Sequence, residues 1–259
     1  MNKIRENLIK GSAVFGINVY TLSPMAIELS SAYGFDFVFI DSEHTSIAID
    51  SNMEKLILSA RASNIDSLVR VTGDSPSEIR KALELGASGV LIPQIHTADQ
   101  MKNVIKAAKF PPLGRRGGDS SVRSAGFGGR GFDWKKYTER ENESTFIVPM
   151  AESFEFFDNI DEILDVEGID AVHFGPADFA LSRGVSVDYS IDSSLVREHL
   201  EILVKKCDRK NIQVMAVCSP LDSRSLNTLK NMGVNMILMG SDISFIRQGL
   251  EKASIVIES

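Results

Sequence analysis

Tyr33-Gly-Phe-Asp-Phe-Val-Phe-Ile-Asp-Ser-Glu-His44 is the stretch whose reading decides the fold. A glycine turn opens it. A run from Phe35 to Ile40, rich in aromatic and β-branched side chains and too short for a helix, then reads as a buried strand. The run closes on Asp41, Ser42, Glu43 and His44, four polar groups where the chain leaves the strand.

The same unit recurs along the chain. Strands are expected at Ala13–Val19, Phe35–Asp41, Asp66–Val71, Ser88–Pro93, Thr145–Ala151, Asp170–Gly175, Ile212–Cys218 and Val234–Met239. Amphipathic helical stretches lie between them, among them Ser51–Ser63, Ser75–Leu85, Thr97–Lys109, Phe154–Leu164, Ser193–Lys210 and Asp222–Met232, several opened by a Ser, Thr or Asp cap. Gly34, Gly86, Gly168 and Gly233 stand where a helix must end and the chain turn back into a strand. Alternation of this kind predicts an α/β protein with a parallel sheet. Eight repeats predict a closed (β/α)8 TIM barrel, with residues 1–259 forming one domain.

Composition agrees. The 259 residues are 43% hydrophobic and 24% charged, which excludes disordered, collagenous and coiled-coil classes. The 35 acidic against 28 basic side chains give a net charge of −7, opposed to phosphate-backbone attraction, so no nucleic-acid partner is expected. The two cysteines, Cys207 and Cys218, are too few for a disulfide framework and suit a reducing compartment. Met1-Asn-Lys-Ile-Arg-Glu-Asn-Leu8 reads as a polar helix without a signal region, and no apolar run is long enough to span a bilayer. These readings point to a cytoplasmic protein with no membrane partner.

One segment breaks the rhythm. Residues 110–144 are long and rich in glycine and arginine, and Gly126-Phe-Gly-Gly-Arg-Gly131 formally matches a dinucleotide fingerprint. No strand precedes that match, which argues against nucleotide binding. A plain surface loop and a cationic flap able to close over an anionic ligand are the two remaining readings.

A barrel of this kind places its active site where strand C-termini enter the following loops. Glu152 and Asp178 then fall one βα unit apart on that rim, either as two hard oxygen ligands for Mg2+ or Mn2+ or as helix caps. Arg70 ends an apolar strand, where a guanidinium is costly unless an anion or carboxylate meets it, and so reads as a ligand clamp ahead of the alternative, a residue with no ligand role. His44 lies three residues after Asp41, whose carboxylate could fix its tautomer for proton transfer; an ordinary surface histidine is the alternative. His96 has a weaker context, while His173 reads as a core residue and His199 as a helix-surface one.

At these positions the chain resembles the HpcH/HpaI family of metal-dependent class II 2-oxo-acid aldolases, of the phosphoenolpyruvate/pyruvate barrel superfamily. The resemblance is carried by Gly34–His44, Leu68-Val-Arg-Val71, Ala82–Pro93, Phe110-Pro-Pro-Leu-Gly-Arg-Arg-Gly117 and Val166–Asp178. It implies that Glu152 and Asp178 hold a divalent ion, Mg2+ or Mn2+ foremost with Co2+ an alternative. It implies that Gly175, Pro176 and Ala177 receive the 2-oxo-acid carboxylate, that Arg70 contacts the keto oxygen, and that His44 with Asp41 forms the base and its orienting partner. Glu84 matches an acid supplied towards a neighbour's site, where the family usually has aspartate. The resemblance further implies a homo-hexamer, a trimer of dimers exchanging the C-terminal helix, here 241–257. Two substrate-pocket positions depart from the family: Asn18 replaces a frequent tryptophan, and Met150 lies in Pro149-Met-Ala151 where Gln-Ile is common. The expected reaction joins a pyruvate enolate to an aldehyde, or cleaves the product, a 4-hydroxy-2-oxo acid. The alternative is a citrate synthase-type condensation of oxaloacetate with acetyl-CoA, as in the siderophore-pathway branch.

Overall fold

The computed structural model describes residues 2–258. After the short helix α1 (Lys3–Ile9), strands and helices alternate: β1 (Val14–Val19), α2 (Pro24–Ala32), β2 (Phe37–Asp41), α3 (Ser51–Ala62), β3 (Asp66–Arg70), α4 (Pro76–Glu84), β4 (Gly89–Ile92) and α5 (Ala98–Ala108). The second half adds α6 (Trp134–Ser144), β5 (Phe146–Ala151), α7 (Phe154–Asp158), α8 (Ile160–Leu164), β6 (Ala171–Phe174), α9 (Pro176–Ser182), α10 (Ser194–Asp208), β7 (Gln213–Val217), α11 (Ser223–Met232), β8 (Met236–Ser241) and α12 (Asp242–Glu258). The strands pair in parallel, each with the next, and β1 with β8 closes the barrel in the order β1 to β8. The expected (β/α)8 TIM barrel is the observed fold.

Side-chain alternation divides the core in two. Val14, Phe37, Phe39, Leu68, Leu91, Phe146, Val148, Ala171, Met215 and Met236 fill the interior, with Ile4 of α1 joining them. The outward residues Ile17, Val38, Ile40, Val69, Val90, Ile147, Val172 and Val214 pack instead under the helices. The helix-to-strand glycines adopt the left-handed backbone that the turn requires, as at Gly233, the C-cap of α11 with φ 98°.

Two expectations change in detail. The stretch Phe154–Leu164 is two short helices joined at Asn159, whose backbone (φ −104°, ψ 12°) leaves the helical region while its side chain donates to the His96 carbonyl at 2.9 Å. Residues 110–144 are not an open flap over the chain's own strand ends. They connect the end of α5 to the start of β5, at the opposite end of the barrel, and carry a 3-10 turn (Arg123–Gly128) and the eleven-residue helix α6. Asp133 caps α6, Phe110, Phe132 and Trp134 surround Tyr137, and Arg116 is buried over the Phe110 ring. Arg123 ties the turn to Glu54 of α3 at 2.7 Å. The Gly126–Gly131 fingerprint sits in this turn with no strand before it and builds no phosphate loop.

Candidate active site

The rim begins with two neighbouring strands. Asp41 and Arg70 are partners in the β2–β3 register, and both lie on the inward face. Arg70 Nε donates to Asp41 Oδ1 at 2.7 Å and its Nη2 lies 2.7 Å from Oδ2, a two-pronged pair with both side chains buried. Nη1 meets Glu43 Oε2 at 3.1 Å, and the guanidinium lies over the Phe39 ring, 5.2 Å from its centre. Burial opposes the charge of Arg70, but the hydrogen bond and charge of Asp41, with Glu43 behind, raise its pKa on balance. Arg70 is thus held in one orientation by two carboxylates.

That pairing corrects the expected His44–Asp41 couple. Asp41 is occupied by Arg70 and by the Glu43 N–H, which donates to Oδ1 at 2.9 Å. His44 instead has Glu43 as its acidic neighbour, Nε2 to Oε2 at 3.6 Å, and its side chain is 57% exposed. The geometric reason is alternation: Asp41 points into the barrel with Arg70, whereas the chain has left the strand by His44. Burial pushes the Glu43 carboxyl above its usual range, with the charges of Asp41 and Asp178 adding to this against the pull of Arg70 and His44.

Glu152 follows β5 and is 1% exposed. Its Oε1 accepts the backbone N–H of Gln94 at 2.7 Å, presented by a left-handed turn with φ 55° at Gln94. Its Oε2 is buried with no hydrogen-bond partner. Gly175, just past β6, stands against this carboxylate: a Cβ there would fall 2.9 Å from Glu152 Cβ and 3.0 Å from Oε2, so only glycine fits without crowding that oxygen. Burial raises the Glu152 pKa to about 7, with Glu43 and Asp178 adding repulsion against the Gln94 hydrogen bond. Asp178, in the first turn of α9, is half-buried and close enough for its charge to act on both Glu43 and Glu152.

An unpaired buried carboxylate oxygen, a second carboxylate beside it and a glycine-lined approach fit a hard divalent cation. Among the described residues no third His, Cys, Asp or Glu completes a metal-ligand group, so two carboxylates would leave most coordination positions to other ligands.

The remaining expected residues divide between this centre and the rest of the barrel. Pro176 and Ala177 open α9 beside Gly175. Met150 is buried one layer below Glu152, its Cε close to Gly175. Asn18 projects inward from β1 and donates to Tyr20 Oη at 3.0 Å. Glu84 is not brought to this site: it ends α4 at the far end of the barrel, 3.9 Å from Arg80. His173 is the expected core residue, fully enclosed, edge-on to Phe39 and held neutral by burial at a pKa of about 4. His199 is half-buried against Phe179 rather than on the open helix surface. His96 pairs with Ser153 Oγ at 3.0 Å, behind Glu152.

Sequence reasoning passed over Glu43, Tyr20 and Gln94. Alternation from Val14 through Gly16 and Asn18 would have pointed to Tyr20, and Glu43 stood between two residues already singled out. The left-handed turn at Gln94 has no local signal.

The chain is similar to known proteins over most of its length. The family model for HpcH/HpaI aldolase/citrate lyase matches residues 15–248. A 2-keto-3-deoxy-L-rhamnonate aldolase of Escherichia coli O17:K52:H18 is 36% identical over 183 residues, 71% of this chain and 67% of that protein. Among solved structures, an HpcH/HpaI aldolase from Desulfitobacterium hafniense DCB-2 superposes with a TM-score of 0.90 at 25% identity, covering 100% of this chain and 98% of that one. Citrate synthase SbnG does so at 0.86 and 26%, covering 98% and 97%. The chain belongs to the HpcH/HpaI aldolase/citrate lyase family. It is an enzyme of the class II aldolase type, a carbon–carbon lyase.

Proposed function

We propose that the enzyme forms or cleaves a 4-hydroxy-2-oxo acid through the enolate of pyruvate and an aldehyde, with Mg2+ or Mn2+ held by Glu152 and Asp178. The observation that carries this reading is the buried Glu152 Oε2, which has no hydrogen-bond partner and lies within reach of the charges of Asp178 and Arg70. A cation bound there supplies Lewis acidity towards the carboxylate and keto oxygens of a 2-oxo acid.

The chain's own groups do the rest. The turn Gly175-Pro176-Ala177, packed beside Glu152, receives the substrate carboxylate. Arg70, already oriented by Asp41 and Glu43, holds negative charge developing on the keto oxygen without reorganising. His44, with Glu43 at its side, takes the methyl proton when the enolate forms, directly or through a water, and a proton returns by the same route to the alkoxide formed at the aldehyde carbon. Cleavage runs the same steps in reverse.

The likeness to citrate synthase SbnG favours a second reading on the same groups, condensation of oxaloacetate with acetyl-CoA. Proton NMR of pyruvate in heavy water separates the two. Divalent-metal-dependent exchange of the methyl protons, abolished by chelation, supports the aldolase; no exchange, with thiol released from acetyl-CoA and oxaloacetate, replaces it with the synthase.

The assembly we propose is a homo-hexamer of three dimers that exchange α12. The exposed apolar side chains of that helix, Ile246 and Leu250 among them, support it, and Glu84, at the far end of the barrel, would then serve a neighbour's site. Among the described residues no helix is long and apolar enough to cross a membrane. Both cysteines are free and buried, and we propose a cytoplasmic location on that ground.

A further inference from the structure

One guanidinium on this rim is met by two carboxylates, one more than its charge requires. Asp41 takes Arg70 in the two-pronged pair, Nε to Oδ1 and Nη2 to Oδ2, both at 2.7 Å. Glu43 Oε2 then lies 3.1 Å from the remaining nitrogen, Nη1. The same oxygen lies 3.6 Å from His44 Nε2, so one atom faces both the cation and the imidazole. Among the described residues that ring has no other ion pair and no hydrogen bond.

The backbone around this oxygen is pinned. The Glu43 N–H donates to Asp41 Oδ1 at 2.9 Å, the Thr45 hydroxyl to the Asp41 carbonyl at 2.6 Å, and the Ser42 N–H to the Arg70 carbonyl at 3.1 Å. With Asp41 neutralising Arg70, the trio of Asp41, Arg70 and Glu43 carries one negative charge in excess. That charge has a use beside an imidazole. A carboxylate at Nε2 holds a proton on that nitrogen and leaves Nδ1 as the acceptor. It also supplies the counter-ion once the ring is doubly protonated, when the 3.6 Å approach can close to a charge-assisted hydrogen bond.

We infer that Glu43, and not Asp41, is the positioning residue of the base: it holds His44 Nε2–H so that Nδ1 takes the methyl proton of pyruvate, and it balances the imidazolium that results. The inference rests on the aldolase reading and deepens it.

The test compares two routes to one enolate. Methyl exchange of pyruvate in heavy water breaks a C–H bond and passes the proton to the base. Decarboxylation of oxaloacetate breaks a C–C bond, leaves its electron pair on the same enolate and releases carbon dioxide, with no proton taken from carbon. The ratio of the two kcat values, exchange over decarboxylation, measured with Mn2+, therefore isolates proton abstraction, and a general loss of activity cancels in it. Glu43→Gln should lower the ratio about tenfold or more, a part of what a positioned base contributes. Glu43→Asp, which keeps the charge on a shorter stem, should lower it less. Asp41→Asn acts through Arg70, which serves both routes, and should leave the ratio unmoved. If oxaloacetate is inert, the readout is methyl exchange alone: kcat should fall in Glu43→Gln while KM for pyruvate holds. Should circular dichroism show the glutamine variant unfolded, Glu43→Ala replaces it. An unchanged ratio in the folded Glu43→Gln or Glu43→Ala variant, a rise in KM with kcat retained, or an equal fall in Asp41→Asn overturns the inference and leaves the aldolase reading standing. A wild type that shows no methyl exchange but releases thiol from acetyl-CoA and oxaloacetate overturns the aldolase reading and this inference with it.

Discussion

Two residues along a strand separate the apolar interior of this barrel from its charged rim. Phe39 precedes Asp41 on β2, Leu68 precedes Arg70 on β3, and Val148 precedes Met150 and then Glu152 at the end of β5. The lower positions fill space and are closed to water. At the upper positions Asp41 and Arg70 form a buried ion pair, while Glu152 has one oxygen with neither a hydrogen bond nor an ion pair. The same backbone therefore serves stability below and, on the proposed function, chemistry above, and the upper layer tolerates electrostatic cost that the lower one does not contain.

The largest effect expected from this division is at the rim. Glu152→Gln should slow metal-dependent pyruvate methyl exchange by about a thousandfold or more while the protein stays folded, measured by NMR and by thermal melting. A variant with parental exchange would remove Glu152 from the site. Arg70→Ala crosses the boundary, because turnover should fall by about a hundredfold. The variant also leaves Asp41 buried without its counter-charge, at about 3–5 kcal/mol of stability by urea unfolding. Loss of activity with unaltered stability would show that the Asp41 pair contributes nothing to the fold.

Below the boundary the pattern should invert. Phe146→Ala, in the lower interior, should cost about 3–5 kcal/mol of stability, yet exchange measured well below the melting temperature should remain that of the parent. The smallest effect is a pH dependence. The pKa of Glu152 is raised to about 7 in the folded, metal-free protein against an ordinary value of 4.5, so the folded state holds its proton more tightly than the unfolded chain. Its stabilising contribution is complete below about pH 4.5 and is lost as pH rises through about 7, a difference of about 3 kcal/mol at pH 8. The Glu152→Gln variant should therefore gain on the wild type across that window in chelator. A divalent cation should restore the wild type by displacing the proton. A flat difference between the two proteins from pH 5 to 8 would show that the carboxylate is solvated rather than buried.

The comparison also marks what was legible without coordinates. Hydrophobic period and glycine placement locate all eight strands to within about two residues, the usual uncertainty of such boundaries. The barrel follows because a chain of alternating buried strands and amphipathic helices has one economical closure. Glu152, Arg70 and Asp41 at strand ends, and Asp178 in the helix turn after β6, could be singled out because a barrel of this kind places its active site on that rim. The break at Asn159 was not, because it depends on a hydrogen bond to His96, far away in sequence.

Sequence by itself determined the order of elements, the parity of each strand and the set of ionisable groups delivered to one rim. Only the tertiary structure decided how those groups divide among one another. Asp41 belongs to Arg70 rather than to His44 because β2 and β3 are in register at those residues. Glu43 becomes the neighbour of His44, and Glu152 keeps a free oxygen because Gly175, from another strand, leaves space against it. Residues 110–144 pack at the opposite end of the barrel because α5 delivers the chain there. Pairing of charges depends on distances across strands far apart in the chain, which local pattern does not encode.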